Sequence, residues 1–286
     1  MKIRTVLFSL VMMLVLSGCV ENPNSWDNTQ PSVPTSEISC STSAALPEIT
    51  EQIMELTTEP STAPAFIFPL DSGACLETYT DDETLDYLDY YLFIPENANA
   101  DMPMIIFLHG DGEVGNPEKL ADYGLIRAVR DIYGENFPFI VVSPCTRTAS
   151  WTSGSIPQTL MGLIEHLSER LSVDKDRIIL SGHSRGAMGV WNLISTYGDY
   201  FAAAVPVSCG AETTLNMENC IKVPVRAYVG NLGEYENMYR TRMFNIVQKM
   251  VEYGGTAELI VLENRNHGQT AHDAFTQDTF TWMLSQ

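Results

Sequence analysis

An α/β fold, with a mainly parallel central sheet and helices on both faces, is what the sequence predicts from about Phe66 to Gln286. Three observations predict it. Short apolar or β-branched runs bounded by turn residues recur along the chain as "DYYLFIP", "MPMIIFLHG", "FPFIVVSP", "DRIILSG", "AAAVPVS", "VPVRAYVG" and "AELIVLE". Between most of them lie helix-period patterns: "PQTLMGLIEHLSERL", "AMGVWNLISTYG", "NMYRTRMFNIVQKMVEYGG" and, at the end, "AHDAFTQDTFTWMLSQ". The strand runs are apolar almost throughout instead of alternating, as strands covered on both faces are.

In chain order, the first segment is of another kind. "MKIRTVLFSLVMMLVLSGC" has Lys2 and Arg4, an uncharged apolar run from Val6 to Leu16, and small residues before Cys19. This is the pattern of a secretory leader, residues 1–18, and its apolar run is short for a membrane span. The ending "LSGC" resembles the lipobox of bacterial lipoproteins. That resemblance implies cleavage before Cys19 and acylation of Cys19, which places the mature protein outside the cytoplasm, held to the cell membrane by the lipid alone. Residues 19–65 follow, rich in Ser, Thr, Pro and Glu, and read as a solvated spacer. Within it "EITEQIMELTTE" has the spacing of a short helix. The catalytic domain is expected at 66–286.

The 286 residues have 45% hydrophobic composition and a formal net charge of −20, and after Arg4 the next Lys or Arg is Lys119. So acidic a chain is unsuited to nucleic acid or to anionic membrane surfaces. Besides Cys19 there are five cysteines, Cys40, Cys75, Cys145, Cys209 and Cys220. The odd number leaves at least one thiol unpaired within the chain, and Cys209 and Cys220 are near enough in sequence either to close a small loop or to stay as two buried thiols. No Cys-x-x-Cys or His-x-x-x-His spacing suggests a metal site.

The chemistry centres on "ILSGHSRGAMGVW", residues 179–191. A strand, "RIIL", runs into a helix, "AMGVWNLIS", through Gly182, His183, Ser184, Arg185 and Gly186. Such a corner exposes the serine at the carboxyl edge of the sheet, and its flanking positions leave no room for side chains. It also aims the Arg185 N–H and the start of the helix at the place where a carbonyl oxygen would gain negative charge. A second N–H donor is expected from Asp111, in the glycine-rich loop of "IIFLHGDGEVG". A serine hydroxyl needs a base. His267, between the last strand and the last helix, is the candidate, with His272 as runner-up; His109 and His183 read as loop-shaping and His166 as an exposed helical residue. The acid should follow "VPVRAYVG", where Glu234 is the first carboxylate and Glu236 the second.

Together, "PMIIFLHGDGEVGN", "FIVVSPCTRTASW", "DKDRIILSGHSRGAMGVWNL" with "YFAAAVPVSCG", and "NHGQTAHDAFTQDTFTWMLSQ" resemble the α/β-hydrolase group of secreted esterases and predicted peptidases, relatives of dienelactone hydrolase, polyhydroxybutyrate depolymerases and feruloyl or acetyl esterases. The resemblance spans roughly Tyr87 to Gln286. It implies Ser184 as nucleophile, His267 as base, and Asp111 with Arg185 as oxyanion donors. It departs from the group at the acid, since Gly233 stands where an aspartate is usual. The acid is then Glu234, or Glu236 after a small insertion, or absent. The expected activity is ester hydrolysis through an acyl-enzyme, without metal or organic cofactor, on extracellular esters such as acylated polysaccharide. The chain between Ser184 and His267 is too short for a large cap, so an open cleft is expected, with Trp151 as a lining residue. A peptidase of the same fold and a non-catalytic surface lipoprotein are the alternatives.

Overall fold

The computed structural model describes residues 73–286 apart from 149, 212 and 213. The expected leader, Cys19, the spacer and the short helix within it lie outside the described residues. Eight strands form one sheet: β1 (Gly73–Thr80), β2 (Tyr87–Ile94), β3 (Met102–Leu108), β4 (Ile140–Cys145), β5 (Val173–His183), β6 (Ala203–Val207), β7 (Val225–Gly230) and β8 (Ala257–Leu262). Their spatial order is β1-β2-β4-β3-β5-β6-β7-β8. β1 and β2 pair antiparallel, as do β2 and β4, and every other pairing is parallel.

The helices are α1 (Gly124–Ile132), α2 (Ile156–Arg170), α3 (Arg185–Thr196), α4 (Met217–Cys220), α5 (Glu234–Glu252), α6 (His267–Asp273) and α7 (Gln277–Leu284). The sheet divides two cores, and the period of two along β3 shows how. Met104, Ile106 and Leu108 face the core that holds Leu160, Leu163 and Leu167 of α2, Val190 and Trp191 of α3, and Met243 and Val247 of α5. Ile105 and Phe107 face the other, with Leu125 and Val129 of α1 and Phe275 and Phe280 near the end of the chain. Since both faces are covered, all seven residues of β3 and all six of β4 are buried.

Three elements go beyond the expected set: β1, α1 and the single-turn α4. β1 is an edge strand whose side chains are mostly exposed, so it carries no apolar run. α1 has only nine residues, three of them charged, yet it buries Leu125, Ile126, Ala128 and Val129. The terminal helical pattern is divided in two by Ala274, Phe275 and Thr276, with Thr276 capping α7 through the Thr279 N–H. Cys209 and Cys220 are both buried and form no disulfide with one another, so of the two alternatives left open by the sequence the small loop closure is not made.

The edge strand is pinned by one carboxylate. Glu77 of β1 takes Arg170 Nη1 and Nη2 of α2 at 2.5 and 3.1 Å and the Tyr90 hydroxyl of β2 at 2.5 Å. The Arg170 hydrogen bonds, opposed by burial, hold the Glu77 carboxyl below its ordinary range. A carboxyl held low adds stability above its unfolded pKa, and this is lost as pH falls through the lowered folded value. Glu77→Gln is therefore expected to lower Tm by about 2–6 °C at pH 7. The deficit should shrink as the pH falls below the ordinary carboxylate range and through the lowered folded value, as circular-dichroism melts along an acid series can check.

Candidate active site

The parallel strands deliver their carboxyl ends to one edge of the sheet, where open α/β sheets gather their ligand-binding loops. β5 ends at His183, and Ser184 has φ 57° and ψ −117° before α3 begins at Arg185. A non-glycine residue in that region is strained, and the close packing around it maintains the strain. A Cβ on Gly186 would stand 1.9 Å from the Leu108 carbonyl oxygen, and one on Gly182 would stand 2.7 Å from the backbone of Gly186. The two flanking glycines are thus required by close approach of backbone to backbone.

His267 lies at the first position of α6. Asn266 accepts the Gln269 N–H at 3.0 Å while the Gln269 side chain accepts the Asn266 N–H at 3.0 Å, a reciprocal cap that sets the entry to the helix. The His267 carbonyl accepts from Thr270 Oγ1 at 2.8 Å and from His183 Nε2 at 2.9 Å. Because a carbonyl only accepts, His183 carries its proton on Nε2, and its Nδ1 accepts from the Tyr123 hydroxyl at 2.5 Å. Burial pushes His183 down to about 3, so the ring is neutral and its tautomer stays compatible with both bonds. Burial likewise pushes the Tyr123 phenol far up, which keeps its proton in place.

With its backbone held in this way, the His267 imidazole meets both partners. Nε2 is 2.9 Å from Ser184 Oγ, and Nδ1 is 2.7 Å from Glu236 Oε1. The Glu236 side chain is 0% exposed. Its second oxygen accepts the Gly230 N–H at 2.5 Å and the Ser208 hydroxyl at 3.0 Å, so both carboxylate oxygens are satisfied. Glu234, the first of the two candidate acids, is exposed and does not reach the histidine. α5 starts at Glu234, three residues before the expected beginning of its pattern at Asn237, so both glutamates lie in its first turn. Two residues apart on a helix face roughly 200° away from each other, so only one of them can point at His267.

The other candidates are placed as follows. Asp111 opens a 3-10 turn after β3, and its side chain forms an ion pair with Arg185 at the start of α3. The pair ties the two loops expected to supply oxyanion donors. His272 lies elsewhere, with Nδ1 3.0 Å from Asp273, and His166 is exposed beside Tyr79. His109 is buried and pushed down to about 4; it accepts the Thr146 N–H at Nε2 and donates from Nδ1 to the Gly110 carbonyl.

Trp151 does not line the cleft. It is 2% exposed, packs edge-on against His109 and donates from Nε1 to the His109 carbonyl at 3.0 Å. The sequence cannot distinguish a tryptophan that shapes the back of a loop from one that faces a ligand. The aromatic groups that do line the cleft are Tyr123, Tyr235 and Tyr239, which sequence reasoning missed. They share with Gly110, Glu113, Ser184 and His267 the wall of a cavity of about 380 Å³. Tyr235 and Tyr239 are four apart on α5, which puts them on one helix face, and that spacing was the available signal.

The strand order, the strand-turn-helix corner and the placement of Ser184 at the carboxyl edge define the architecture. The chain has the α/β-hydrolase fold. A thermostable esterase superposes with a TM-score of 0.62 at 22% identity over 74% of this chain, which spans 63% of that esterase's length. The feruloyl esterase module from Clostridium thermocellum gives 0.59 at 16% identity, covering 77% of this chain and 94% of that one. An acetyl xylan esterase from Aspergillus awamori gives 0.56 at 13% identity, covering 73% and 99%. No protein-family profile and no curated protein matches the sequence. The chain keeps its sheet free of a large inserted cap among the described residues, since the segments from β5 to α6 supply only sheet strands and flanking helices. No helix among the described residues is long and apolar enough to cross a membrane.

Proposed function

We propose that this α/β hydrolase is a serine esterase that cleaves carboxylic esters through an acyl-enzyme. The observation that carries the reading is the unbroken chain of hydrogen bonds from Ser184 Oγ through the His267 ring to the buried Glu236 carboxylate, at the wall of an open cavity. Such a chain is what converts a weakly acidic hydroxyl into a nucleophile.

In the first step His267 Nε2 takes the Ser184 proton as Oγ bonds to the ester carbonyl carbon, and the carbonyl π electrons move onto oxygen. The oxyanion is held by the backbone N–H groups of Asp111 and Arg185, the latter at the positive end of the α3 dipole. Glu236 holds the Nδ1–H tautomer and stabilises the imidazolium. When the tetrahedral intermediate collapses, the C–O bond to the alcohol breaks, and the His267 proton goes to the departing oxygen. Water then enters, gives its proton to His267 and attacks the acyl carbon; collapse returns that proton to Ser184 and frees the acid.

The expected substrates are extracellular esters, acylated polysaccharides among them. With the lipobox-like "LSGC", the reading places the enzyme outside the cytoplasm, anchored through Cys19. The test is active-site labelling: a fluorophosphonate probe is expected to leave a single adduct on the tryptic peptide containing Ser184, and p-nitrophenyl acetate should be hydrolysed with a burst of one equivalent. Wild-type protein that neither labels nor hydrolyses would overturn the reading.

A further inference from the structure

The α5 turn that supplies Glu236 also builds a wall of the cleft. Tyr235 and Tyr239 are stacked, with ring centroids 6.3 Å apart and planes at 23°. Their centroids stand 6.3 and 5.4 Å from that of the His267 ring. Tyr235 is 66% exposed, so an aromatic face that a folded chain would ordinarily cover is presented at the cavity mouth. Neither ring has a part in the proton transfers described above.

The side of the cleft they occupy follows from the chemistry. His267 delivers its proton to the departing alcohol, so that oxygen must come within hydrogen-bond reach of Nε2. Groups flanking the imidazole on the cavity side therefore meet the alcohol portion of the ester. Tyr235, exposed, with the half-buried Tyr239 nearly parallel beside it, offers an aromatic face of negative quadrupole, suited to a ring whose C–H bonds project from one side. The same cavity also has a polar lining residue. Glu113 is 9% exposed and lines the same cavity, and its Oε2 has no hydrogen-bond partner among the described residues. Burial raises its carboxyl above the ordinary range. An acceptor in this condition is relieved by an arriving hydroxyl and gains nothing from an alkyl chain. The net charge of −20 disfavours acidic sugars.

We infer that Tyr235 and Tyr239 form the subsite for the leaving alcohol, and that this alcohol is a neutral pyranose ring whose C–H face packs on the tyrosines while a hydroxyl meets Glu113 in the same cavity. The inference rests on the esterase reading and adds to it which half of the substrate is recognised and by which residues.

The test uses two acetyl esters, an O-acetylated methyl xylopyranoside and 2-methoxyethyl acetate, with the full-length protein. Both form the same acyl-enzyme, so a change in their relative kcat/KM reports on the alcohol side, and intrinsic reactivities cancel when variant is compared with wild type. Tyr235→Ala/Tyr239→Ala is expected to lower the preference for the pyranoside by about tenfold, mainly through KM. Tyr235→Phe/Tyr239→Phe, which keeps the ring faces, should retain it. Tyr235→Ala alone, at an exposed position, should lower it in part and serves if the double variant misfolds. A preference unchanged in the alanine variants overturns the inference, and so does an equal loss on both esters, which would mean that the rings only position His267. If the wild type cleaves neither ester and no fluorophosphonate adduct forms, the esterase reading itself is lost and the subsite with it.

Discussion

Glu236→Gln is expected to lower kcat for p-nitrophenyl acetate by about 10⁴, whereas Glu234→Gln leaves it unchanged. The size of the first effect follows from the satisfied carboxylate. Oε1 must accept from His267 Nδ1, and Oε2 must accept from the Gly230 N–H and the Ser208 hydroxyl. An amide has one acceptor atom where two are needed. Turned one way, its NH₂ faces Nδ1 and drives the imidazole proton to Nε2, where it can no longer take the Ser184 proton. Turned the other way, its NH₂ opposes the Gly230 N–H in a buried site, at a cost of about 1–3 kcal/mol. Glu234 stands on the solvent side of α5, and its substitution is felt by neither partner. Steady-state kinetics with the two variants decide the matter: a Glu236→Gln enzyme that keeps kcat within threefold of wild type removes Glu236 from the mechanism.

Ser184→Ala is expected to lower kcat by about 10⁶ and to abolish fluorophosphonate labelling. The residual rate should come from the oxyanion donors and from binding, which the substitution leaves in place. Because Ser184 and His267 act as one unit, the double variant with His267→Ala should lose little more than Ser184→Ala alone. Alanine also relieves none of the corner's strain, since the positive φ is imposed by the packing of Gly182 and Gly186 against neighbouring backbone. The variant should therefore fold as the wild type does, and a circular-dichroism melt checks that the lost activity is chemical. A Ser184→Ala protein with more than a tenth of the wild-type rate would point to another nucleophile.

The parts of the site that sequence reasoning reached are those set by local chemistry. A serine between two glycines, a strand before and a helix after, specify a corner wherever they occur, because the glycines are demanded by contacts a few residues away. The mainly parallel, covered sheet was legible for a similar reason, since continuous apolar runs have nowhere to go except between layers of helices. β1 was not legible because an exposed edge strand held by Glu77 needs no apolar pattern. α1 is short and charged, and its few buried residues acquire meaning only against Phe107 and its neighbours in the second core.

By itself the sequence determined the α/β-hydrolase layout, the corner that presents Ser184, and the loop that carries His267. Only the tertiary structure decided between Glu234 and Glu236, sent Trp151 behind the loop after β3, and brought Tyr235 and Tyr239 to the cleft. The physical reason is the same in each case. Two residues apart on a helix point in opposite directions, and which direction meets the histidine depends on where α5 begins and how it lies on β7 and β8. Periodicity gives a helix its faces, and packing against the sheet decides which face meets the site.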